Sequence, residues 1–165
     1  MPHLELVFVG LNPGEYSVRV GHYFARKQNL FWTALNRSGL VPEKLAPEDD
    51  ARLLQYGYGL TDIVKRATAN VGELKPEEFV RGGRILCAKL EPLKPRVICF
   101  VGLVGYRIAF DRKAVLGPQQ AIWGKAHLFI VPSTSPRNAH YRGDIVHWFR
   151  HLRQYCDELR GGQHA

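Results

Sequence analysis

The sequence predicts an α/β fold, a single three-layer domain whose mostly parallel central sheet is flanked by helices. Three observations carry the expectation. Continuous apolar runs at 4–9, Val97–Val101 and 127–131 read as strands covered on both faces. Segments with apolar residues at three- and four-residue spacing alternate with them, and that alternation implies parallel strands joined by helical crossovers. Each run also stops abruptly in a turn rich in glycine, proline or hydroxyl residues.

Length and composition fit one core. The chain has 165 residues, 45% of them hydrophobic, enough for one compact domain spanning 1–160, with 161–165 expected as a disordered tail. No apolar stretch approaches the roughly eighteen residues of a membrane span, and the N-terminus lacks a charged segment followed by an apolar one. A soluble, cytoplasmic protein of bacterial type is expected, with no membrane partner. The three cysteines, Cys87, Cys99 and Cys156, are far apart and read as reduced core thiols, with no metal site expected. The net charge of +8, from 23 basic against 15 acidic residues spread along the chain, favours a polyanionic partner but is equally compatible with solvated basic faces.

The first run ends in Gly10-Leu11-Asn12-Pro13-Gly14, a stiff turn with one polar side chain. Asn12 either supports this turn, as asparagine often does, or projects an amide to a ligand at the carboxyl edge of the sheet. Residues 15–28 lack a helical or strand period and read as a functional loop containing Gly21-His22-Tyr23-Phe24 and the cations Arg19, Arg26 and Lys27. Asn29 caps a helix through Arg37, with Leu30, Phe31, Ala34, Leu35 and Ser38 on one face and Gly39 as its stop. Pro47-Glu48-Asp49-Asp50 opens another helix, its acids near the positive end, and Gly57 and Gly59 flank the next turn. In the short apolar segment 60–64, Asp62 is an N-cap, a surface turn residue or an acid placed for chemistry. Pro76-Glu77-Glu78 starts a middle helix with Phe79, Gly83, Leu86 and Leu90 in phase, ended by Pro92 and Pro95. A glycine-framed turn, Gly102 to Gly105, leads from the second strand into a short helix around Tyr106 and Phe110. The third strand stops at Pro132-Ser133-Thr134-Ser135-Pro136-Arg137-Asn138, and a last helix over 142–160 carries Ile145, Trp148, Phe149, Leu152, Cys156 and Leu159 in one stripe. Parallel strands share a carboxyl edge, so Asn12, the Gly102 turn and the 133–137 loop should converge on one rim.

These segments, taken in order, resemble the mismatch-specific uracil/thymine-DNA glycosylases, family 2 of the uracil-DNA glycosylase superfamily. The likeness rests on Gly10-Leu11-Asn12-Pro13-Gly14, Gly21-His22-Tyr23-Phe24, Asn29-x-Phe31-Trp32, Gly59-Leu60-Thr61-Asp62, Gly82-Gly83-Arg84 and Val131-Pro132-Ser133-Thr134-Ser135-Pro136-Arg137, and it covers nearly the whole chain. It implies a monomeric, monofunctional enzyme that binds double-stranded DNA, flips a base out of the stack and hydrolyses the base–deoxyribose bond without metal or cofactor.

By the same resemblance Asn12 holds the attacking water. Asp62 occupies a position that varies in the family; a carboxylate there activates the water, stabilises the cationic sugar or repels the anionic base. Gly10, Leu11, Ser17, Tyr23, Phe24 and Asn29 match the base pocket, with Phe24 as the stacking ring. Plain readings stand beside these: core packing for Phe24, a loop serine for Ser17, a helix cap for Asn29. Ser133, Thr134, Ser135, Pro136, Arg137 and Asn138 match the loop that fills the gap left by the flipped nucleotide. Arg137 is its wedge, or a solvated surface cation. Tyr23 stands where thymine-processing members carry a second histidine, which points to uracil, above all opposite guanine. An iron–sulfur branch would need four cysteine ligands, and a lyase would need a pocket lysine. The alternative of another class is a non-catalytic α/β module that binds nucleotide or nucleic acid, though neither glycine turn matches a dinucleotide or P-loop pattern.

Overall fold

The computed structural model describes residues 3–138 and 142–162. At its centre five strands lie in the order β2-β1-β3-β5-β4. They are β1 (Leu6–Gly10), β2 (Tyr58–Asp62), β3 (Val97–Val101), β4 (Gly117–Trp123) and β5 (Ala126–Val131). Every neighbouring pair is parallel except β4 with β5.

Alternation within the apolar strands explains why they have no polar face. Leu6, Phe8, Val97, Cys99, Val101, Phe129 and Val131 face one cluster. Val7, Val9, Ile98, Phe100, Leu128 and Ile130 face the other. The first layer is closed by α2 (Phe31–Ser38) and α5 (Ile145–Gly161), the second by α3 (Pro76–Leu90) and α4 (Leu103–Ala109). Phe8 anchors the first layer: its ring meets Phe31 edge-on at 5.1 Å and stacks over Phe149 at 6.0 Å. Fully burying side chains of this size contributes about 1.5–3 kcal/mol each.

Several elements depart from the sequence expectations. The stretch after the glycine turn is not aperiodic throughout, because Glu15–Val20 forms the short helix α1. It buries no residue, so it has no apolar stripe for a period to reveal. Residues Pro47–Tyr56 form a 3-10 helix, and Leu30, not Asn29, occupies the N-cap of α2. Two strands went unforeseen. β2 contains Gly59, and β4 contains Pro118 and a register shift between Pro118 and Ile122; both are edge strands, where such residues are tolerated. The last helix extends to Gly161, and positions 163–165 of the expected tail lie outside the described residues.

One close approach fixes α3 against the sheet edge. A side chain at Gly82 would collide with the Ile63 carbonyl oxygen, so glycine lets the helix backbone lie directly on the segment leaving β2. That segment, 63–68, carries the groups that hold Asn12.

Candidate active site

The carboxyl ends of β1 and β2 are in register, with Gly10 opposite Asp62. Any Cβ at Gly10 would collide with Asp62 Oδ1 and would lie 3.4 Å from Phe24 Cζ. Glycine therefore lets the Asp62 carboxylate and the Phe24 ring close in on the end of the strand. Backbone bonds carry the pairing past the strands, from Ile63 N–H to Gly10 O and from Val64 N–H to Leu11 O, each 2.9 Å. Leu11 turns its side chain away to pack on α4 beside Gly102 and Gly105.

Asn12 is held by its nitrogen. Nδ2 donates to the Arg66 carbonyl oxygen at 3.0 Å and to Thr68 Oγ1 at 2.8 Å. The Arg66 carbonyl only accepts, so the amide orientation is fixed and Oδ1 points elsewhere. Among the described residues no donor reaches Oδ1. Thr68, itself buried, is tied to the turn by its own N–H to Pro13 O and by Glu15 N–H to its carbonyl, each 3.3 Å. The turn reading and the ligand reading of Asn12 thus combine: the nitrogen locks the loop and the oxygen stays available as an acceptor.

Asp62 is 6% exposed and ends a strand; it is neither an N-cap nor a surface turn residue. Burial pushes its carboxyl up to about 6, against the opposing pull of Lys65 and Lys89. Nearby, burial first and then the charges of Asp62 and Asp50 raise the Tyr23 phenol above its ordinary value, so it remains a donor.

Phe24 has a left-handed backbone, φ 50°, rare for a bulky residue. Its neighbours are pinned on both sides. Tyr23 N–H donates to Asp50 Oδ2 at 3.2 Å, the Tyr23 carbonyl accepts from Trp32 Nε1 at 3.0 Å, and Ala25 N–H donates to Ser17 Oγ at 3.1 Å. Asp50 Oδ2 also lies 3.3 Å from His22 Nδ1, near enough to orient the ring electrostatically though without hydrogen-bond alignment. One face of Phe24 stacks on Phe31 at 4.2 Å and 17°. Asn29 spends its Oδ1 on Phe31 N–H at 3.0 Å, a turn bond just before α2.

The 133–138 loop follows β5 onto the same rim. Thr134 is buried and its carbonyl accepts from Leu30 N–H at 3.0 Å, which ties the loop to the start of α2. Ser133 Oγ and Ser135 Oγ accept from Ser135 N–H and Arg137 N–H, and Asn138 Nδ2 donates to Ser133 O at 2.9 Å. Pro136 is partly covered and Arg137 is exposed at the loop's outer end. Gly10, Phe24 and Asp62 therefore meet in one place, and Asn12 is locked in the turn that leaves Gly10. Ser17 and Tyr23 hold the backbone on either side of Phe24, Leu11 packs on α4, Asn29 bonds the start of α2, and the 133–138 loop stands on the same rim. Asp50 and Thr68 escaped the sequence reading. In the sequence Asp50 reads as a helix-dipole acid, and Thr68 carries no local signal at all.

A buried carboxylate, an aromatic ring and a locked asparagine turn thus stand at the carboxyl rim of a parallel sheet, the edge at which open α/β folds bind their ligands. A family model described as the uracil DNA glycosylase superfamily matches residues 1–160. The chain belongs to that superfamily and is a DNA glycosylase, a hydrolase whose partner is DNA. No helix among the described residues is long and apolar enough to cross a membrane.

Proposed function

We propose that the chain is a monofunctional, mismatch-specific uracil-DNA glycosylase that acts as a monomer on duplex DNA, prefers uracil opposite guanine, processes thymine weakly if at all, and starts base excision repair. The observation that carries this reading is Asn12, whose nitrogen is fixed to Arg66 and Thr68 while its oxygen is left to accept from a water. The flipped uracil stacks on the face of Phe24 turned away from Phe31, beside Gly10 and the Asp62 carboxylate.

The chemistry then follows from charge. As the bond from C1′ to the base breaks, its electron pair leaves with uracil and the sugar becomes oxocarbenium-like. Asp62 stabilises that cation and takes a proton from the water that Asn12 holds, so oxygen bonds C1′ and the products are an abasic site and the uracil anion, which solvent protonates. Arg137 at the exposed end of its loop fills the vacated stack, and the adjoining serine hydroxyls meet the backbone phosphates. Ser17, the small residue of the base pocket, and Tyr23, standing in place of a histidine, set the preference for uracil over thymine.

The test uses a labelled duplex with a single G·U pair, followed by alkaline cleavage of abasic sites. The native chain should cut at that position, and Asn12→Ala should lose roughly a hundred- to thousand-fold in single-turnover rate while folding and binding DNA normally. Tight binding by the native chain without cleavage would instead select a non-catalytic module. Near-normal cleavage by Asn12→Ala would remove the water-holding role.

A further inference from the structure

Strand β2 carries an unusual charge arrangement on each of its faces. On the α2 side the Asp62 carboxylate is buried beside Gly10 and Phe24, and no hydrogen-bond donor reaches it among the described residues. On the α3 side Lys65 Nζ donates to Thr61 Oγ1 at 2.7 Å, and Lys89 Nζ donates to the same oxygen at 3.2 Å. Thr61 is 3% exposed, whereas both lysines are exposed residues whose ammonium ends are partly covered. Neither ammonium has a carboxylate within ion-pair distance among the described residues. Glu78, the acid on that side, is taken by Arg66 at 2.8 Å.

Each arrangement is unfavourable alone. A buried carboxylate without donors tends to neutralise, and two flexible ammonium groups sharing one neutral oxygen repel each other when solvent is open to both. Taken together they offset each other in part, because Thr61 and Asp62 are adjacent and project to opposite faces of one strand. We propose that Lys65 and Lys89, gathered by Thr61 behind the strand, are the counter-charge of Asp62 and act as positioning residues that keep its carboxylate ionised without touching substrate.

Arg81, exposed on α3 at the cavity that Asp62 also borders, is a further cation on that side; the remaining groups around Asp62 do not supply this charge. Residues 21–25 present the neutral Tyr23 phenol, with the Asp50 carboxylate behind it; β1 presents Gly10; the turn presents the neutral Asn12 amide. Arg66 points to Glu78. The carboxyl, already pushed up to about 6 by burial, would rise further without the two lysines. Partial desolvation, followed by the neighbouring Lys89, pulls the Lys65 ammonium below its ordinary value, against the opposing pull of Asp62.

The consequence for rate rests on the proposed role of Asp62, and the experiment separates the two. Lys65→Met and Lys89→Met, singly and together, are introduced into the full chain. A cavity of about 200 Å³ bordered by Asp62, both lysines, Arg81 and Leu86 gives the methionine stems room. The Asp62 carboxyl is followed by carbon-13 NMR, assigned with Asp62→Asn, and the single-turnover rate on the G·U duplex is measured from pH 5 to 9.

Each methionine should raise the Asp62 midpoint by roughly half a pH unit or more, and arginine at the same positions should restore it. Thr61→Val, which removes the shared acceptor and keeps the shape, should shift the midpoint in the same direction. The acidic limb of the rate profile should move with the midpoint. A midpoint unchanged in the double variant overturns the proposal. A midpoint that rises while the acidic limb stays put leaves the counter-charge standing and removes Asp62 from the reaction.

Discussion

At the scale of the residue, Asp62 binds stability and chemistry together through one number. Its carboxyl rises from the ordinary 3.8 to about 6, and a rise of about two pH units corresponds to about 3 kcal/mol. The folded value lies above the unfolded one, so the ionised side chain costs stability. That cost is fully present above pH 6, shrinks as pH falls from 6 toward 3.8, and is absent below. Asp62→Asn should therefore raise the urea unfolding free energy by about 1–3 kcal/mol at pH 8 and leave it unchanged at pH 4. Under the proposed mechanism the same substitution slows cleavage and flattens the acidic limb of the rate profile. A variant that is no more stable at pH 8 would mean that the carboxylate is satisfied by a partner. Asn12 shows the complementary economy of a side chain whose two ends do different work, one bracing the loop to Arg66 and Thr68 and the other free.

At the scale of the element, the pocket is held by a segment that its own sequence does not stabilise. Residues 21–25 keep Phe24 at φ 50° only because Asp50, Trp32 and Ser17 grip the peptide groups on either side. Asp50→Ala releases the Tyr23 N–H and the charge facing His22, so the segment should relax. We expect about 1 kcal/mol less stability in urea and roughly tenfold weaker cleavage at subsaturating duplex, with Asp50→Asn recovering most of both. Full activity in Asp50→Ala would show that Trp32 and Ser17 suffice. Such grips were illegible in the sequence for a physical reason. The Asn12–Thr68 bond spans 56 positions and the Tyr23–Asp50 bond 27, and a partner at that separation leaves no periodicity to read. The same holds for α1, which buries nothing, and for the edge strands β2 and β4, whose glycine and proline read as turns. The three inner strands were legible because a strand covered on both faces is apolar at every position.

At the scale of the whole molecule, the parallel sheet gathers segments remote in sequence onto one rim, so the order of turns was enough to place Asn12 and the 133–138 loop on the same edge of the sheet. It was not enough to place Lys65 and Lys89, which meet on the opposite face of the edge strand. The net charge of +8 also belongs to this scale. Binding to an uncleavable abasic-analogue duplex should weaken steeply with salt, with a slope of log K against log salt of about −4 to −5 if some five phosphates are neutralised. A slope near −1 would mean that the positive charge is spread over surfaces that never face DNA. The hydrogen bond from Leu30 N–H to the Thr134 carbonyl has a mechanical corollary. Leu30 precedes Phe31, on which Phe24 is stacked, so the exposed loop and the stacking ring are bolted to the same end of one short rod. In the proposed complex, a push on Arg137 from the strand opposite the lesion is transmitted to the ring under the flipped base, and the enzyme feels both strands through a single joint.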